Sequence, residues 1–145
     1  MFDTQPAADS STPFLVRAEK HTPSFLRGGG EMGQRMRDRD WSGSRLGVPA
    51  RWPVPLRVVV RILLASHEPL AVWWGGGHTL LYNDACRDLL GRRHPDVFAG
   101  PVPDGWLDGT SGLHLSLHPI PGERGQLGGV LCTFAGGPTA IVDGA

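Results

Sequence analysis

Along residues 54–65 the apolar positions Leu56, Val59, Val60, Leu63 and Leu64 recur at i, i+3, i+4, i+7 and i+8. That period predicts a helix with one buried stripe, while Arg57 and Arg61 share another face. Pro53 and Pro55 suit its first turn, where a missing N–H costs little. Upstream, "EMGQRMRDR" places Met32 and Met36 at i, i+4 and predicts about two helical turns after the glycines at 28–30. Downstream, "LAVWW" (70–74) and "TLLYN" (79–83) flank "GGGH" and predict a β-hairpin. Asn83 then reads as a helix N-cap, Asp84 as a favourable first-turn charge, and Gly91 as the stop after "ACRDLL". Leu113, Leu115 and Leu117 alternate with His114, Ser116 and His118, which predicts a half-buried strand over 113–120. "VLCTF" (130–134) predicts its hairpin partner. Helix, hairpin, helix, long loop and hairpin together predict an α+β domain on an antiparallel sheet.

Composition narrows the picture. A chain of 145 residues suits one domain, and Gly (21) with Pro (13) predicts short elements and many turns. Residues 1–27, rich in Ser, Thr, Pro and Ala, read as a disordered leader, and 135–145 as a flexible tail. Fourteen basic residues balance fourteen acidic ones, so neither nucleic acid nor an acidic membrane is an expected partner. The N-terminus lacks a signal-peptide pattern, and the segment 54–65 is too short and too basic to span a bilayer. A cytoplasmic protein is the expectation.

Candidate chemistry is sparse. Gly28, Gly30 and Gly33 spell Gly-x-Gly-x-x-Gly, but no buried strand precedes them and no acid stands about 20 residues on, so a turn and helix start is the better reading. His114 and His118 would share a metal on a helix; on a strand they lie roughly 13 Å apart, too far for one ion. No metal site is expected. Cys86 and Cys132 read as buried free thiols. No serine sits in a hydrolase-type elbow and no kinase or phosphate-loop motif occurs, so no catalytic residue is assigned. Trp73 and Trp74, adjacent on a strand, point to opposite faces: one toward the core or a pocket, the other toward the N-terminal helix or a partner.

A co-linear series of motifs carries a family likeness. Residues 30–33 (Gly-Glu-Met-Gly), 40–42 (Asp-Trp-Ser), 46–53 (Leu-Gly-x-Pro-x-x-Trp-Pro), 73–75 (Trp-Trp-Gly) and 82–85 (Tyr-Asn-Asp-Ala) resemble the N-terminal PAS-type sensor domain of bacterial sensor histidine kinases. The closing segment 116–134 looks like that family's last hairpin. The likeness spans 28–134, with 28–66 as an N-terminal helical extension. It implies a PAS-like antiparallel sheet with flanking N-terminal helices, lacking part of the helical wall and one strand between residue 95 and the closing hairpin. The missing strand would border residues 113–118 and leave that strand as an edge.

The resemblance implies a non-catalytic sensory or signal-transduction module acting by protein–protein contact in a two-component pathway. Its expected partners are another PAS domain, a sensor kinase or a second copy of the chain, since no phosphoacceptor or ATP-binding box occurs. Trp73, Trp74, Tyr82, Asn83 and Cys132 are the candidate pocket residues, and His114, Ser116 and His118 the candidate interaction edge. Two other readings stand beside it: a sensor binding haem or another small molecule, and a degenerate remnant of a sensor kinase without activity.

Overall fold

The computed structural model describes residues 23–106 and 113–135. Three α-helices, α1 (Gly30–Asp38), α2 (Val54–Ala65) and α3 (Asp84–Leu90), accompany four strands, β1 (Leu70–Trp74), β2 (Thr79–Tyr82), β3 (His114–Pro121) and β4 (Leu127–Ala135). The strands form one antiparallel sheet in the order β2-β1-β4-β3. Two local hairpins are thus joined through their β1 and β4 strands, as an α+β fold on an antiparallel platform requires. No helix among the described residues is long and apolar enough to cross a membrane.

The predicted elements form for the predicted reasons. In α2, Pro53 occupies the N-cap and Pro55 the first turn, and Leu56, Val60, Leu63 and Leu64 are buried. The β1–β2 turn uses Gly75 at φ 76° and His78 at φ 50°. Gly129 lets β4 close on β1, because a Cβ there would lie 2.5 Å from the Trp73 carbonyl oxygen. Only glycine fits that approach.

Residues paired across strands point the same way. Ala71, Trp73, Leu80, Tyr82 and Cys132 therefore share one face, and Val72, Trp74 and Leu81 share the other. The segment after α3 roofs the first face: Phe98 meets Tyr82 at 5.7 Å between ring centroids, and Trp106 meets both Trp73 (6.0 Å) and Phe134 (6.5 Å). The same segment protects the outer edge of β2, where the Leu80 amide donates to the Gly100 carbonyl and the Ala99 amide to that of Leu80.

Three expectations need correction. The strand 113–120 is not half-buried: in β3 both faces are exposed, with Leu115 at 41% and Leu117 at 58%, and only Ile120 is buried. The leucines share the roofed face by register, Leu115 opposite Phe134 and Leu117 opposite Cys132, but the roof does not cover them. Within the leader expected over 1–27, Ser24–Leu26 forms a 3-10 turn that buries Phe25 and Leu26, with Phe25 5.6 Å from Trp52. Its residues 1–22 lie outside the described residues, as do 107–112. Strand β4 runs through Ala135, which was expected to begin the tail; residues 136–145 are not described.

Candidate functional site

The polar groups of the fold gather where the N-terminal helices meet the sheet and α3. Asn83 is 2% exposed and fills all its hydrogen-bonding capacity. Its Oδ1 accepts from the Cys86 amide at 3.0 Å, the predicted N-cap, and also from the Leu70 amide at 3.1 Å. Its Nδ2 donates to the carbonyls of Leu63 (3.0 Å) and Glu68 (2.8 Å). One side chain thus ties the start of α3 to the end of α2 and the start of β1.

Asp84 does more than favour its own helix. Its carboxylate accepts from the Glu31 amide (3.1 Å) and the Met32 amide (2.8 Å), and so caps α1 across 52 and 53 residues of chain. The cap explains Gly30: at φ 61°, a Cβ there would collide with Asp84 Oδ2. A helix that begins Gly29-Gly30 has no side-chain cap of its own, and Asp84 supplies the acceptor from outside.

Glu31, the first acidic residue of α1, then gathers three cationic or donor groups. Arg35 Nε lies 2.7 Å from Oε2, Arg87 Nη1 2.7 Å from Oε1, and His94 Nε2 2.8 Å from Oε2. Hydrogen bonds from Arg35, then His94, then Arg87 hold the Glu31 carboxyl down at about 2. His94 Nδ1 stands 2.6 Å from the Tyr82 hydroxyl. Burial pushes that hydroxyl well above its ordinary value, so it stays neutral. The assignment that satisfies all three groups has Tyr82 donating to Nδ1 and the Nε2–H of His94 donating to Glu31. A continuous relay therefore runs from β2 through His94 to α1.

The predicted pocket residues divide. Tyr82, Asn83 and Cys132 are fully or almost fully buried among neighbours, Trp74 is 7% exposed, and Trp73 is half-buried against Trp106. Grooves on the described surface include one of about 420 Å³ beside Glu31 and Phe98, one of about 320 Å³ beside Trp74 and Gly128, and one of about 430 Å³ beside Phe25 and Val58. Of the predicted pocket residues, only Trp74 borders one of them. Cys86 and Cys132 are free and buried, and burial pushes their thiols up to about 12 and about 11. Neither holds a thiolate at neutral pH, so neither is an activated nucleophile. Among the described residues no three His, Cys, Asp or Glu side chains gather as a metal ion would need.

The predicted edge residues His114, Ser116 and His118 lie together on one face of β3, all exposed, with His118 Nε2 3.3 Å from Thr133 Oγ1. Among the described residues β3 pairs only with β4, and none of them pairs with its other side. Pro119 and Pro121 shorten the stretch that can accept another strand to 114–118. Reading the residues in isolation misses Glu31, Arg87 and His94 as a cluster. The one hint is that Gly-Glu-Met-Gly and Tyr-Asn-Asp-Ala occur in the same series of motifs. In comparison with known proteins, the chain matches no family model, no curated protein and no solved structure.

Proposed function

We propose that the chain is a shortened PAS-type sensory module of the cytoplasm that has no catalytic chemistry and signals through protein–protein contacts in a bacterial two-component pathway. The motif series supplies the family part of this reading. Its residues are also the ones that carry the fold's polar joints: Glu31 from the first motif, and Tyr82, Asn83 and Asp84 from the last. Sensory modules need such joints, because a change at the sheet acts only if a flanking helix is rigidly coupled to it.

The observation that carries the contact part is β3. An edge strand with both faces exposed, and with Leu115 and Leu117 uncovered, is a template for an added strand from another chain. The expected partner is a second copy or another PAS domain, through residues 114–118. Size-exclusion chromatography with light scattering tests this on the full chain. Ser116→Pro and Leu117→Lys are each expected to lower the associated fraction while far-UV circular dichroism stays that of the native chain. Position 117 is exposed, so the lysine costs the core nothing. Association that neither substitution weakens, or a wild-type chain that stays monomeric and ignores PAS-domain partners, removes the edge as the contact.

A further inference from the structure

A second surface, independent of the PAS reading, lies on the outer side of α2. Val54, Val58 and Ile62 follow one another at i, i+4 and i+8 and are 50%, 52% and 52% exposed. With Phe25 from the preceding 3-10 turn they line a groove of about 430 Å³, whose remaining wall includes Arg57 and Arg61. An isolated exposed valine means little, but three in a row on one helix form an unpartnered stripe. Among the described residues the side chains of the two arginines make no hydrogen bond or ion pair, and Arg57 Nε is buried there without an acceptor. The fold therefore presents an apolar seam beside a guanidinium that lacks its counter-group.

We propose that this groove docks an amphipathic helix of a partner protein, one whose apolar stripe is flanked by carboxylates. Charge complementarity selects that occupant. A carboxylate along the groove pairs the guanidinium groups of Arg57 and Arg61 that line it. A second copy of the same face does not fit: α2 carries no acidic residue, so two such faces would bring four guanidinium groups into one seam. A membrane fits poorly too. Two arginines and three half-exposed aliphatic side chains supply neither the broad apolar face nor the polybasic patch that stable binding to an anionic surface needs.

The test uses the full chain carrying Val58→Cys. The two native thiols are buried, so a maleimide labels the introduced thiol selectively. The probe is a synthetic amphipathic helix with leucines at i, i+4 and i+7 flanked by glutamates; its control has glutamines in their place. At saturation the acidic peptide is expected to slow labelling by about tenfold, and the glutamine peptide to protect little. Adding Arg57→Gln and Arg61→Gln is expected to abolish the difference between the two peptides. Four results overturn the proposal: equal protection by both peptides, no protection by the acidic peptide, protection only by vesicles of anionic phospholipid, or an introduced thiol already protected in the free chain. The last would mean that the chain or a second copy of it covers the groove.

Discussion

At the scale of single residues, two side chains hold the N-terminal helices to the sheet, and each has a distinct signature. Asn83 works by number of bonds. Replacing it with Ala removes the cap on the Cys86 amide, leaves the Leu70 amide without its acceptor, and takes one donor from each of the Leu63 and Glu68 carbonyls, which keep Ser66. The expected cost is about 2–4 kcal/mol in urea unfolding, since buried backbone groups lose acceptors and donors together. A cost below that of an ordinary exposed N-cap would show that the four bonds are not all made in solution. Glu31 works by charge. Its carboxyl is depressed in the folded state by Arg35 first, then His94 and Arg87, to about 2, against 4.5 for the free group. A depressed folded pKa means that its contribution is fully present above about 4.5 and is lost as the pH falls from there toward 2. The side chain is 38% exposed, so solvent screening limits the contribution to about 1 kcal/mol or less. Glu31→Gln should therefore unfold more readily than the native chain at pH 7, and the gap should close on acidification through that window. A gap that is constant with pH would assign Glu31 a packing role instead.

At the scale of elements, what could be read from the chain was whatever is decided locally. The 3.6-residue period of α2, its prolines and the Asn83 cap involve neighbours within a few positions, and all of them appear in the fold. The β1–β2 hairpin was legible for the same reason. Burial was less legible, because it is decided by what lies opposite. The alternation of Leu115 and Leu117 correctly marks β3 as a strand, yet alternation alone does not say that a roof exists. The segment that roofs the sheet meets β1, β2 and β4 through Phe98 and Trp106, and the two leucines beyond remain exposed. The Glu31 cluster escaped for a related reason. Its partners Arg87 and His94 lie 56 and 63 residues away, and within "EMGQRMRDR" a glutamate four residues before an arginine looks like an ordinary solvated pair. Asp84 suits the start of its own helix by local rules, which do not reach its second task at the start of α1.

At the scale of the whole molecule, the N-terminal layer and the sheet are bound by two kinds of link that should make them unfold as one. The polar link is Asp84 on α1 and the relay from Tyr82 through His94 to Glu31. The apolar link is a run of edge-on aromatic contacts: Trp52 to Trp41 at 5.0 Å, Trp41 to Phe98 at 6.2 Å, and Phe98 to Tyr82 at 5.7 Å. Trp41 and Trp52 also anchor themselves, donating their indole N–H groups to the carbonyls of Met36 and Gly47. Tryptophans therefore report both layers, Trp41 and Trp52 in the N-terminal part and Trp73, Trp74 and Trp106 at the sheet, while far-UV circular dichroism reports the backbone of all elements. In urea the two signals are expected to fall together in a single transition, as a small two-state domain requires. Asp84→Ala frees the Glu31 and Met32 amides and should lower both midpoints together through a loss of about 1–2 kcal/mol of stability. If instead only part of the fluorescence changes first, that of Trp41 and Trp52, with the strand signal persisting, the helical layer docks as a separate unit. The relay would then be a loose contact, and a rigid coupling between sheet and flanking helix would have no physical basis in this chain.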